Sequence, residues 1–68
     1  MDEETLIVAV NAALEVGDWE QVAHLTADLY AMAMQRGDVA FAGLVQDLHW
    51  IANDALAHPL QVERLLAP

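Results

Sequence analysis

The sequence predicts an all-α domain, a small antiparallel bundle of three main helices and a short C-terminal helix. Apolar residues recur at helical spacing in three stretches, and the dipeptide Gly-Asp occurs twice, at 17–18 and 37–38. Because glycine commonly follows the end of a helix and aspartate caps the next one, each dipeptide indicates that one helix stops and another starts. We expect a single domain over residues 1–68, with helices at about 3–16, 19–36, 39–57 and 60–66.

The first predicted helix has the sequence EETLIVAVNAALEV. At about 100° per residue, its leucine, isoleucine, valine and most alanine side chains share one broad arc, while Glu4, Asn11 and Glu15 lie opposite. Asp2 precedes it as a plausible N-cap. The Leu-Ile-Val run is also compatible with a strand, but the alanine-rich continuation without a turn signal favours a helix.

The second predicted helix begins after Asp18 and is apolar over more than half of its circumference. Its polar arc is narrow and consists of Glu20, Gln21, His24, Asp28 and Gln35. Such a helix needs two packing partners, so we expect the first and third helices, or a second chain, to cover its two flanks. Thr26 falls inside the apolar arc, where its hydroxyl can bond back to the preceding turn.

The third predicted helix presents an apolar stripe that we expect to face inward: Phe41, Leu44, Val45, Leu48, Ile51, Ala52, Ala55 and Leu56. Trp50 lies across from that stripe on the polar face, where it is the one clear exception to the pattern. Its neighbours on this face are Gly43, Gln46, Asp47, Asn53 and Asp54.

The C-terminal residues predict a last short helix. Pro59 forces His58 out of the helical region and suits the first position of a new helix. We expect Val62, Leu65 and Leu66 of this helix to cover the open end of the core.

The order helix, Gly-Asp, helix, Gly-Asp, helix resembles the helical hairpins of the tetratricopeptide-like proteins, in which Gly-Asp closes a tight turn. The spacing from Gly17 to Gly37 is similar to that of the longer-repeat members of this group, and the resemblance covers residues 6–57, about one and a half repeats. It implies a protein-binding scaffold. Because a repeat array needs about three units to be stable, it also implies pairing with a second copy.

The apolar content is high for so short a chain. Apolar residues make up 57% of the 68 residues, and there is no cysteine to form a disulfide. A domain of this size buries only about 60% of the surface that its unfolded chain exposes. We therefore expect self-association, as a homodimer, to cover part of the apolar surface.

The charge balance is strongly acidic, with 11 acidic residues against two arginines and a net charge of −9. Such a chain repels phosphate backbones and anionic lipids, so we expect no direct binding to nucleic acid or membranes, while a basic partner is permitted. The acidic start Met-Asp-Glu-Glu is unlike a secretory signal, and no stretch reaches the roughly 18 apolar residues that span a bilayer. We expect a soluble, cytoplasmic protein.

No motif indicates catalysis or a cofactor. Three pairs of potential metal ligands stand four residues apart, namely His24 with Asp28, His49 with Asn53, and Asp54 with His58. A zinc site needs three or four ligands, so we interpret these pairs as solvated and expect no metal and no cofactor. The chain lacks serine, cysteine and lysine nucleophiles, so we expect it not to be an enzyme.

Trp50 is the best candidate for a functional residue. Exposed tryptophan is enriched at binding hot spots, where truncation costs about 2 kcal/mol or more. We expect Gln46, Asp47, Asn53 and Asp54 to form a polar rim around it, and Gly43 to leave room for close approach. The alternatives are that Trp50 contacts a second copy or packs beneath the C-terminal helix of its own chain.

The leading hypothesis is a non-catalytic protein–protein interaction module, a homodimer that presents its acidic, Trp50-centred face to a basic protein or peptide. One alternative is an acidic inhibitor that imitates nucleic acid in the phosphate-binding cleft of another protein. A second alternative is an accessory or assembly subunit whose apolar surface is completed by a larger complex. The acids are scattered over several faces and do not form one dense run, which favours the first hypothesis.

Overall fold

A computed structural model describes residues 2–58. Within this range the chain forms α1 (Glu3–Glu15), α2 (Trp19–Gln35) and α3 (Val39–Ala57), with no strand. The prediction of a small all-α bundle is confirmed, and each helix begins and ends within one residue of the bounds expected from the sequence. The short helix predicted at 60–66, with Val62, Leu65 and Leu66, lies outside the described residues.

Both Gly-Asp turns close in the same way. Gly17 has a φ of 69°, a left-handed conformation that favours glycine. Its N–H donates to the carbonyl of Leu14 at 3.2 Å, and the N–H of Asp18 donates to the carbonyl of Ala13 at 2.9 Å. This pair of bonds defines a Schellman motif. The turn at Gly37 repeats it, with a φ of 79° and bonds of 3.1 and 3.0 Å.

The aspartate of each turn also starts the next helix. Asp18 Oδ1 accepts the backbone N–H of Gln21 at 3.2 Å, and Asp38 Oδ1 accepts that of Phe41 at 3.1 Å. Both residues are therefore N-caps, as the sequence predicts. The backbone of each aspartate closes one helix and its side chain opens the following one.

α2 is the central element because α1 and α3 both pack against it, while the backbones of α1 and α3 do not approach one another closely. Thr26 is fully buried on α2, and its Oγ1 lies 2.7 Å from the carbonyl of Val22, as expected. The main core cluster joins all three helices through Leu6, Val10, Leu25, Leu29 and Val45. A second, smaller cluster consists of Ala13, Val22 and Ala52.

The inward stripe of α3 is narrower than predicted. Leu44 is 68% exposed, Ile51 55% and Leu56 48%, whereas Ala42, which the pattern did not include, is buried. The expectation for these three large side chains is wrong because α3 packs closely against α2 only. A helix with one close partner buries one narrow stripe, and the apolar residues beside that stripe remain at the surface.

Arg36 links the start of α1 to the turn between α2 and α3. Its guanidinium donates to both carboxylate oxygens of Glu3, at 3.0 Å from Nε and 2.6 Å from Nη2, and Nη1 lies 3.1 Å from Asp38 Oδ2. The hydrogen bonding to Glu3 raises the pKa of Arg36. The contact with Glu3 is bidentate and joins the start of α1 to the end of α2 at the surface, where ion pairs contribute little to stability.

We predict opposite effects of alanine at two glycines. An added Cβ would meet no atom within 4 Å at either Gly37 or Gly43, so backbone conformation decides both cases. Gly37→Ala should lower the free energy of unfolding by about 1 kcal/mol, because alanine resists a positive φ. Gly43→Ala, inside α3, should raise it by up to about 1 kcal/mol. Urea denaturation of both variants measures this difference, and a stabilising Gly37→Ala would contradict the turn geometry.

We also predict that Asp2 contributes to acid sensitivity. The hydroxyl and the backbone N–H of Thr5 lower the pKa of Asp2, and this N–H donates to Oδ1 at 2.7 Å. A lowered pKa in the folded state stabilises the protein above the ordinary aspartate pKa of about 3.9, and this contribution is lost as the pH falls through the lowered value.

Thermal melts of the wild type and Asp2→Asn at a series of pH values test this prediction. Asparagine also caps helices but does not titrate. The melting temperature of the wild type should therefore fall relative to that of Asp2→Asn below about pH 4. A constant difference between the two proteins would contradict the prediction.

Candidate functional site

Trp50 lies on the outward side of α3 and is 68% exposed. The other five candidate residues from the sequence are exposed as well: Gly43, Gln46, Asp47, Asn53 and Asp54. Trp50 and Leu44 are six residues apart, which separates them by about 120° around the helix. The face that carries Trp50 is therefore distinct from the side that carries Leu44.

Trp50 and Gln46 line a cavity of about 230 Å³ between α2 and α3, together with Ala27, Tyr30 and His49. The remaining candidates, Gly43, Asp47, Asn53 and Asp54, are not part of its lining. Sites for small molecules typically measure about 300–1,000 Å³. This cavity is smaller than that range.

Sequence reasoning did not assign Tyr30 and His49 to this site. Tyr30 belonged to an apolar flank of α2, and His49 was considered only with Asn53 on its own helix. The signal that brings them together is the hairpin turn at Gly37, because an antiparallel hairpin pairs residues that lie at similar distances from its turn. Tyr30 and Gln46, seven and nine residues from Gly37, satisfy this relation, and so do Thr26 and His49, eleven and twelve residues from it.

A buried hydrogen bond holds the imidazole of His49 in place. Thr26 Oγ1 lies 2.7 Å from the carbonyl of Val22, 3.2 Å from that of Ala23 and 2.9 Å from His49 Nδ1. A hydroxyl has one hydrogen, and the short contact to the Val22 carbonyl requires it, because a carbonyl only accepts. Thr26 Oγ1 must then accept a hydrogen bond from His49 Nδ1–H.

This arrangement decides the role of the second ring nitrogen. When Nδ1 of a neutral histidine carries the hydrogen, Nε2 carries a lone pair and acts as an acceptor. Among residues 2–58, Nε2 has no hydrogen-bond partner, and His49 is half-buried. His49 lines the cavity, and Nε2 of its neutral ring is a hydrogen-bond acceptor.

The surface around Trp50 is acidic, and the described part of the chain provides no cation that neutralises it. Asp47 and Asp54 form no ion pair with any residue in 2–58. Arg36 is the only arginine or lysine in this range, and Glu3 and Asp38 already contact it. No lysine or arginine within residues 2–58 therefore neutralises the negative charge beside Trp50.

The described residues show no other chemistry at this site. Residues 2–58 contain no group of three or more histidines and acids placed to hold a metal ion, and His24 and Asp28 are both exposed. The hydroxyl of Thr26 is fully buried and engaged in hydrogen bonds, so it is not accessible to a substrate. The arrangement provides aromatic surface, acceptors and negative charge, which together suit binding.

Comparison of the chain with protein-family models, with curated proteins and with solved structures finds no match. None of the helices in the described part of the chain is both long and apolar enough to cross a membrane.

We predict that the Thr26–His49 hydrogen bond stabilises the packing of α3 on α2. Thr26→Val replaces the hydroxyl with a methyl of similar size and leaves His49 Nδ1–H without its acceptor. The free energy of unfolding should fall by about 1–2 kcal/mol in urea denaturation. When His49 is already alanine, Thr26→Val should lower the free energy of unfolding by at least about 0.5 kcal/mol less than it does in the wild type. An equal loss of free energy in both proteins would show that the hydrogen bond contributes nothing to stability.

Proposed function

We propose that the chain is a non-catalytic protein–protein interaction module that acts as a homodimer and binds a basic protein or peptide at the face around Trp50. The observation that carries this proposal is the position of Trp50, a large side chain that is 68% exposed beside a cavity bounded by a second aromatic residue, Tyr30. Tryptophan and tyrosine are the residues most enriched among binding hot spots.

The chemistry of the site favours a lysine or arginine side chain as the group that is bound. The face of an indole attracts cations, and tryptophan does so more strongly than other aromatic residues. Gln46 and His49 supply hydrogen-bond acceptors at the cavity, and Asp47 and Asp54 supply negative charge on the same side of α3. A basic side chain placed over Trp50 would use all three properties.

A binding role fits these groups better than a catalytic one. The cavity is below the usual size of a substrate site, and the residues that line it include no serine, cysteine or lysine. His49 is positioned by Thr26, but no nucleophile lies beside it among the described lining residues. Tight placement of one histidine is sufficient for recognition of a hydrogen-bond donor.

Two other roles remain as outcomes of the test. An inhibitor that imitates nucleic acid would rely on total negative charge, and its binding would be competed by DNA and weakened by salt. An accessory subunit of a larger complex would rely on the exposed apolar side chains, and its binding would not depend on Asp47 and Asp54. Neither role requires an exposed indole beside a cavity.

We predict that Trp50→Ala weakens the binding of basic peptides by about 30-fold, the equivalent of about 2 kcal/mol. The measurement uses an array of synthetic peptides with arginine or lysine at varied positions, each paired with a glutamine-substituted copy. Val8→Ala is the matched control, because Val8 is 63% exposed but lies on α1. It should leave binding unchanged.

Two double variants test the role of charge. Each removes two negative charges, one from the Trp50 side of α3 and the other from α2. Asp47→Asn with Asp54→Asn should weaken binding more than Glu20→Gln with Asp28→Asn, which changes two exposed acids on α2. Equal weakening by both pairs, together with competition by DNA, would favour the imitation of nucleic acid. Equal binding by the wild type and Trp50→Ala would overturn the proposal.

A further inference from the structure

A second apolar surface lies on the other side of α3, between α1 and α3. Both helices pack on α2 while their backbones stay apart, and between them lies a groove of about 160 Å³. Leu29 of α2 lies at its floor, and α1 borders it with Ile7 and Asn11. α3 borders it with Phe41, Leu44 and Leu48.

The groove carries no charge. Among the described residues that line it, none is ionisable and Asn11 is the only polar side chain. The chain has a net charge of −9, so two copies repel one another wherever their acids come close. Acidic residues lie on the polar arc of α2 and beside Trp50 on α3. The lining of the groove contains none, so contact between two copies there buries no carboxylate of the lining.

The same surface contains both a recess and the side chains to fill it. Leu44, which lines the groove, is 68% exposed, and Ile51, one helical turn beyond the lining residue Leu48, is 55% exposed. A twofold interface must be complementary to itself, because each copy offers the same patch to the other. A recess next to projecting leucine and isoleucine side chains meets this requirement.

The spacing of the apolar residues on this side of α3 is that of a helix-pairing seam. Phe41, Leu44, Leu48 and Ile51 are separated by three, four and three residues, and Leu44 and Ile51 are the exposed members of this row. This alternation places side chains along one line of a helix and allows them to interlock with a second helix. Within the described residues no other helix covers Leu44 and Ile51.

We infer that the α1–α3 groove is the interface between two copies of this chain, in which Leu44 of each copy enters the groove of the other about a twofold axis near Leu48. This inference rests on the homodimer of the proposed function and locates where its copies meet. It does not use Trp50, which lies about 120° away around α3 and stays accessible in the dimer.

Sedimentation equilibrium of the full chain at micromolar concentration tests this interface. The wild type should have twice the chain mass of 7.4 kDa. Leu44→Glu should raise the dimer dissociation constant by at least about tenfold, because it places an unpaired carboxylate in an apolar contact. Val39→Glu is the matched control. Val39 is also 68% exposed on α3 but does not line the groove, so this variant should remain dimeric.

The other outcomes identify a different occupant. A monomeric wild type would overturn the inference and leave the groove to residues 59–68 or to another protein. A dimer that tolerates Leu44→Glu but dissociates with Trp50→Ala would overturn it by placing the interface at the Trp50 face. Circular dichroism checks that each variant remains folded. We expect all of them to be helical because the substituted side chains are exposed.

Failure of this inference is distinguishable from failure of the proposed binding site. If Leu44→Glu is monomeric and still binds basic peptides with the same affinity per chain, the groove and the Trp50 face act separately, as we infer. If Trp50→Ala loses peptide binding but keeps the mass of a dimer, this result also supports separate roles for the two surfaces. A normal dimer whose peptide binding does not depend on Trp50 would refute the proposed site and leave the groove interface standing.

Discussion

The packing of two helices against the same buried face of α2 is the constraint on which the rest of the structure depends. α2 buries Val22, Leu25, Thr26, Leu29 and Ala33, more residues than either neighbouring helix buries. Because α1 and α3 do not close on each other, each keeps apolar side chains outside the core. The α1–α3 groove and the cavity beside Trp50 both follow from this arrangement, one on each side of α3.

Local features of the chain were predictable from the sequence because their causes are local. A positive φ at Gly17 and Gly37, and the capping by Asp18 and Asp38, depend on residues within one turn of the chain. The outward position of Trp50 was also predictable, since helical periodicity places it opposite the apolar stripe. These features need no knowledge of which helices meet.

The features that depend on pairing between helices were not predictable in the same way. Periodicity gives the direction in which a side chain points, but not whether a neighbouring helix is there to cover it. Leu44 and Ile51 point toward a position that no described helix occupies, so they are exposed despite an inward-looking pattern. The contact of Thr26 with His49 depends on the register of α2 against α3. The sequence of either helix alone does not determine this register.

The double role of Asp18 and Asp38 has a consequence for the dynamics of the chain. Each aspartate belongs to the last turn of one helix through its backbone and to the first turn of the next through its carboxylate. Fraying at one helix end therefore disturbs the beginning of its neighbour. In hydrogen exchange, the amides on both sides of each junction should open together as one cooperative unit, since neither helix has a terminus there that opens by itself.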